Sequence, residues 1–320
     1  MSLPALVAPD SFKGSFSAAE VASAVGAGLR DAGRDATELP LADGGEGTMG
    51  VLVAALGGEL RTARVADPLG RPVDTSFALL PDGRTAIVEM AQASGLGLVS
   101  EEERDAYAAS THGTGELIAT AVEAGAERVL VTVGGSATTD GGAGALEALE
   151  GVDVRLEVLC DVRTPWEEAA RVYGPQKGAD AATVERLERR LDELAERAPR
   201  DPRGVPMTGG AGGLSGGLWA YRGAELHPGA AHVLDAIGFD ERMRESAFVV
   251  TGEGGLDDQT LEGKVVGEVA TRCRQRGVTC HAVVGRNSLE PFKARILDLA
   301  SVTEAGTAEE LRKAGRSLAG

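Results

Sequence analysis

No run of apolar residues in this chain is long enough to span a bilayer, and its start lacks a secretory leader pattern; together these predict a cytoplasmic protein. No stripe of Lys and Arg interrupts a formal net charge of −17. Such a field repels nucleic acid and anionic membrane, and excludes both as partners. Cysteine is scarce: Cys160, Cys273 and Cys280 are odd in number and lack CxxC spacing, so they read as buried reduced thiols. The four histidines are scattered, and His227 and His232 stand five apart, off the spacing of a helical ligand pair, so no His/Cys metal site is expected. Two phosphate-binding fingerprints are also missing. "EGK" at 262–264 runs into Val265, and Gly210-Ala-Gly212 continues to Ser215, so the chain carries neither a P-loop nor a strict GxGxxG.

Lysine is the most informative shortage. Of 32 basic residues only five are Lys, at 13, 177, 264, 293 and 313. Three of them sit in Gly-flanked loops, "SFKGS", "GPQKGAD" and "LEGKVV". A compact ammonium serves phosphate or carboxylate as a point charge where the planar fork of Arg does not fit.

Glycine, in contrast, is abundant. Its 45 residues are about twice the usual share of roughly 7%. They cluster between apolar runs as "DGGEG", "VGGSATTDGGAG", "TGGAGGLSGGL" and "TGEGG", which reads as tight turns and close backbone approaches. The apolar runs at 5–8, 38–42, 85–90, 128–133, 155–160, 247–251 and 281–285 read as strands. Most lead into a Gly/acid loop and then a helical pattern. Ser17-x-x-Glu20 is a capping box, and 182–198 carries Val184, Leu187, Leu191 and Leu194 at helical spacing. Residues 199–210 form the most linker-like stretch. Alternating strands and helices predict an α/β chain with mainly parallel sheets, its ligands beyond the carboxyl ends of the strands, where the Gly/acid loops lie.

Gly213-Leu-Ser215-Gly-Gly217 fits GxSxG, but a nucleophile elbow needs a strand immediately before it and "VPMTGGAGG" is not one. The stretch 133–144 offers free backbone N–H groups at a helix start, from Gly134 and Gly135 onward, with the hydroxyls of Ser136, Thr138 and Thr139: a nest for an anion. Carboxylates beside such a nest (Asp43, Asp140, Glu253, Asp257) would repel phosphate unless Mg²⁺ lies between. The loop "GEGGLDDQTLEGK" at 252–264 holds four acids, Glu253, Asp257, Asp258 and Glu262. Phosphoryl transfer explains them, since it needs acids for a metal, cations for the moving charge and a carboxylate for the hydroxyl proton.

With these motifs in view, the chain resembles the bacterial-type glycerate kinases. The matching stretches are "APDSFKGSFSAAEVA" (8–22), "PLADGGEGT" (40–48), "VEMAQASGL" (88–96), "HGTGELI" (112–118), "VGGSATTDGGAG" (133–144), "CDV" (160–162), "GPQKGAD" (174–180), "GGAGGLSGGL" (209–218) and "TGEGGLDDQTLEGK" (251–264). They run in order and cover most of the chain. The resemblance implies ATP-dependent phosphorylation of D-glycerate with Mg²⁺. It implies two α/β domains, one flavodoxin-like and discontinuous (1–67 plus 240–320), the other inserted (68–239), with the active-site cleft between them. Within the residues it carries over, catalytic roles are expected for Lys13, Asp43, Asp257 and Lys264, with Asp43 or Asp257 as general base and the lysines on the phosphoryl group or the substrate carboxylate. Asp140 and Glu253 are the expected metal ligands. Asp10, Ser11, Glu46, Gly134, Gly135, Ser136, Thr138 and Lys177 are expected to bind substrate and nucleotide. Thr139, Gly255 and Val266 depart from the family pattern, as do shortened stretches on either side of "CDV". A non-catalytic nucleotide- or sugar-acid-binding member, or a kinase for another small hydroxy acid, is the alternative. Oligomeric state stays open, a homodimer included.

Overall fold

The structure is a computed structural model describing residues 3–319, without the side chains of residues 259, 262 and 291; Glu262 of the acidic loop therefore lies outside the described side chains. The described strands are β1 (Ala5–Pro9), β2 (Ala36–Glu38), β3 (Glu59–Ala66), β4 (Pro72–Leu79), β5 (Thr85–Glu89), β6 (Arg128–Val133), β7 (Arg155–Cys160), β8 (Glu225–Pro228), β9 (Phe248–Leu256), β10 (Cys280–Asn287) and β11 (Ser301–Glu304). They form two sheets, ordered β2-β1-β9-β10-β11 and β3-β4-β5-β6-β7-β8. The α/β reading with mainly parallel sheets is borne out. Among the described residues no helix is long and apolar enough to cross a membrane.

The first compact unit joins the residues up to Asp43 with those from Ala230 onward. All its strand pairs are parallel, β1 with β2 and β9, β10 with β9 and β11. In chain order this is the 2-1-3-4-5 arrangement of flavodoxin-like sheets, whose switch point falls between β1 and β9. Both of those strands are buried on both faces over their apolar stretches, as parallel strands require. Pro40 has no N–H to give, so the run "ELPLA" stops being a regular strand at Glu38. Its flanking Leu39 and Leu41 amides still donate to Val7 and Pro9 carbonyls, which carries the chain along β1 to Asp43. The helix Ala18–Asp31 starts at the expected Ser17/Glu20 capping box and packs against Ala308–Ser317. A Cβ on Gly28 would collide with the Arg312 carbonyl, so the two backbones touch there.

The second unit, Gly44–Gly229, is contiguous. β5 to β8 are parallel, while β3 and β4 add an antiparallel edge. The units divide at Asp43 and Gly229 rather than at 67 and 239, and β3, which pairs along its whole length with β4, falls in the second sheet. The stretch 199–210 lies inside this unit. It is tied down by the Thr208 hydroxyl, which accepts from the Trp166 amide at 2.9 Å and donates to the Val205 carbonyl at 2.7 Å.

Candidate active site

Parallel strands that all end at one sheet edge put their loops side by side, and at the β1/β9 switch point those loops diverge and leave a pocket. Here the pocket has a volume of about 390 Å³. Asp10, Ser11 and Lys13 reach it from the loop after β1, Asp43 from the segment beyond β2, Glu253 from β9, and Asp257 and Lys264 from the loop between β9 and the helix Val265–Arg276. Seven residues singled out from the sequence thus line one cavity of the first unit. Mutual hydrogen bonds between Phe12 and Phe16 close the loop that carries Lys13. Lys264 stands at the N-cap position of the helix Val265–Arg276, makes no capping hydrogen bond with its side chain, and lines the pocket wall.

The electrostatics are set by burying acids together. Asp10 is 7% exposed and accepts from the Ser11 amide at 2.6 Å. Burial, then the charge of Asp43, push its carboxyl up to about 8, against the pull of the Ser11 amide and Lys13. Burial likewise pushes Glu253 up to about 7, although the Thr260 hydroxyl donates to it at 2.5 Å and Lys264 lies close by. Lys13 reaches Asp43 with Nζ 3.4 Å from Oδ2, and its side chain is 61% exposed, so it remains reachable from solvent. Asp258 turns out of this group: it pairs with Lys293 at 2.5 Å on the surface.

Hard oxygen donors brought together and raised in pKa by burial and mutual repulsion suit a hard divalent cation. Glu253 and Asp10 fit that role. Asp140 does not. Its Oδ2 accepts from the Thr111 amide at 2.8 Å, the Thr111 hydroxyl at 2.8 Å and the Gly144 amide at 3.2 Å, and its Oδ1 from the Gly142 amide at 3.0 Å. Four donors, in a site 1% exposed, make this carboxylate the anchor of two helix starts, Ala143–Ala148 and His112–Glu123.

The rest of the second unit's candidate set surrounds the loop after β6. Lys177 is 2% exposed, and its ammonium donates to the Ser136 hydroxyl at 2.9 Å and the Thr138 carbonyl at 2.6 Å. Burial pulls it down to about 7, with Asp140 and Asp161 resisting. Two of its three N–H groups are used by these bonds. The Thr138 hydroxyl is buried with no hydrogen-bond partner among the described residues. Gly134 and Gly135 lie against residues 45–46: a Cβ on Gly135 would come within 3.0 Å of the Glu46 carboxylate. The glycine-rich tract at 209–217 is there for packing, since a Cβ on Gly212 or Gly217 would collide with the carbonyls of Thr138 or Gly141.

That packing also disposes of the GxSxG match. Ser215 is fully buried in the helix Leu214–Arg222, and its hydroxyl donates to the Met207 carbonyl at 2.6 Å and the Gly210 carbonyl at 3.1 Å. The segment directly before its helix is the turn Gly210–Gly213 and not a strand, so it is not a nucleophile elbow. The three cysteines are free and buried, as the composition predicts. Among the pocket residues that the sequence does not single out, Arg286, near the end of β10, carries a charge into the same cavity.

The family model described as "Glycerate kinase family" matches residues 5–153 and 150–316. The chain belongs to the glycerate kinase family. The "Glycerate 2-kinase" of Escherichia coli (strain K12) is 40% identical over 301 residues, covering 81% of this chain and 79% of its own. The "Glycerate kinase" of Bacillus subtilis (strain 168) is 40% identical over 324 residues, covering 88% and 84%. The crystal structure of a putative glycerate kinase 2 from Salmonella typhimurium LT2 superposes with a TM-score of 0.83 at 34% identity, over 100% of this chain and 98% of that one. Membership of the glycerate kinase family makes the chain an enzyme of the kinase class, a phosphotransferase, and implies a nucleotide as one substrate.

Proposed function

We propose that the chain transfers the γ-phosphoryl group of ATP to a hydroxyl of D-glycerate with Mg²⁺ as cofactor. The observation that carries this reading is the pocket at the β1/β9 switch point, where buried carboxylates and lysines of opposite task share one cavity. Phosphoryl transfer asks little covalent work of a protein; it asks for position and for charge. Asp43 and Asp257 are the carboxylates available to receive the hydroxyl proton. Lys13 and Lys264 meet the charge of the moving phosphoryl group as compact ammoniums. Glu253 with Asp10 would hold Mg²⁺, which when bound neutralises phosphate charge. In the second unit, Lys177, Ser136 and Thr138 with the amides around Gly134 and Gly135 are given to anionic oxygens of the nucleotide, and the unpartnered Thr138 hydroxyl supports a polar ligand there.

An ADP-release assay with D-glycerate, ATP and Mg²⁺ tests the reading, with a panel of small hydroxy acids beside it. Turnover with glycerate supports it; turnover with another acid alone moves the substrate; ATP binding without any turnover overturns it in favour of a sensor. Asp43→Asn and Asp257→Asn identify the base, whose loss should cost roughly 10²–10⁴ in kcat. Phosphorus NMR of the product shows which hydroxyl is modified.

A further inference from the structure

Arg286 and Gly255 are direct partners in the β9–β10 ladder. In-register residues of neighbouring strands project from the same face, and one pair further back that face carries Glu253, opposite Val284. Arg286 therefore rises beside the pocket acids. Among the described residues its guanidinium makes no hydrogen bond and no ion pair, in a chain whose other arginines commonly find carboxylates.

Gly255 is unusual for a different reason. Its neighbours in the tract are glycines by necessity: a Cβ on Gly252 would collide with the Val283 carbonyl, one on Gly254 would press on Phe12 at 3.2 Å, and one on Gly285 would lie 2.5 Å from the Gly254 carbonyl. At Gly255 a Cβ would meet nothing within 4 Å, and the residue does not have a positive φ. Neither packing nor backbone conformation calls for glycine there. What its missing side chain does is leave the space over the ladder open in front of Arg286.

We propose that Arg286 binds the carboxylate of the acid substrate, with Gly255 leaving room for both. This rests on the kinase reading above and deepens it. A planar fork donates two parallel hydrogen bonds to a carboxylate, a geometry that the point charges of Lys13 and Lys264 do not offer. The lysines are thereby left for the phosphoryl group. An exposed, unpartnered arginine can be removed without leaving a buried charge behind, so its variants should fold.

Three readouts test the assignment. Arg286→Ala should raise KM for D-glycerate roughly tenfold to a hundredfold with KM for ATP unchanged, and Arg286→Lys should recover only part of the loss. Glycerol, which lacks the carboxylate, should be handled equally by parent and Arg286→Ala. The swap Gly255→Arg with Arg286→Gly returns a guanidinium from the neighbouring strand and should restore much of the lost affinity. If KM for ATP rises instead, the guanidinium serves the nucleotide and the assignment is wrong. Titration of D-glycerate by calorimetry separates this from the kinase reading. Equal binding by parent and Arg286→Ala sinks the Arg286 assignment even if turnover is normal, and no binding by the parent sinks it too. Tight binding lost on substitution supports it even if turnover is never found.

Discussion

Replacing Lys177 with methionine should make the second unit more stable at acidic and neutral pH while removing the charge proposed above for the nucleotide. Lys177 is 2% exposed, and burial pulls its pKa from 10.5 to about 7. That drop of about 3.5 units, at about 1.36 kcal/mol each, sets the cost of holding the ammonium inside at about 5 kcal/mol. Methionine fills a similar volume but leaves the Ser136 hydroxyl and the Thr138 carbonyl without the amine, which costs about 1–3 kcal/mol. The net expectation is a gain of roughly 2–4 kcal/mol, or about 4–16 °C in the melting transition of a unit this size. The pH dependence has a definite sign. Because the folded pKa lies below the unfolded one, the folded state binds fewer protons between about pH 7 and 10.5. The parent's penalty is therefore complete below pH 7 and fades as pH rises to 10.5. Calorimetric scans of Lys177→Met and parent at about pH 6 and about pH 10 check this. A variant less stable at about pH 6, or a difference that does not change with pH, refutes the reasoning.

Two further substitutions test the roles of particular contacts. Asp140→Ala strips the common acceptor from Thr111, Gly142 and Gly144, and should cost the second unit about 3–5 kcal/mol by denaturant unfolding, with turnover falling alongside. Unchanged stability with only the Mg²⁺ dependence altered would return Asp140 to the metal. Gly28→Ala forces apart two helices in backbone contact and should destabilise the first unit by about 1–3 kcal/mol, despite alanine's better helix propensity. Gly50, in the helix Thr48–Leu56 with nothing within 4 Å of a Cβ, is the control: Gly50→Ala should be neutral or stabilising by up to about 1 kcal/mol in a urea titration.

Much of the fold was legible in the sequence, for a physical reason. Parallel strands buried on both faces are continuous apolar runs, and their loops must turn sharply, so β1, β5, β6, β7, β9 and β10 announce themselves as apolar runs beside Gly/acid clusters. The edge strand β3 carries no such mark: most of its residues, from Glu59 on, are exposed, and only pairing with β4 makes it a strand. That hidden pairing puts residues 59–66 in the second unit rather than the first. The pocket acids and lysines stood out because glycine surrounds them. Asp140 stood out in the same way, yet composition cannot tell an acid facing a ligand from one absorbed by backbone amides. Arg286 was invisible among many arginines, since its place depends on the register of β10 against β9.

The construction of the first unit from both chain ends has a consequence for biosynthesis. β1, an inner strand of the sheet, leaves the ribosome well before its partner β9, which begins only at Phe248. At about 5–20 residues per second the wait is roughly 10–50 s, during which the contiguous second unit can fold and β1 cannot. An apolar strand that ends fully buried thus spends most of translation without β9, and the nascent chain, more than the finished enzyme, is where chaperones would be needed. A circular permutant beginning at Ala230 would place β9, β10 and β11 just ahead of β1 and β2, and should show in its aggregation during synthesis how much that delay costs.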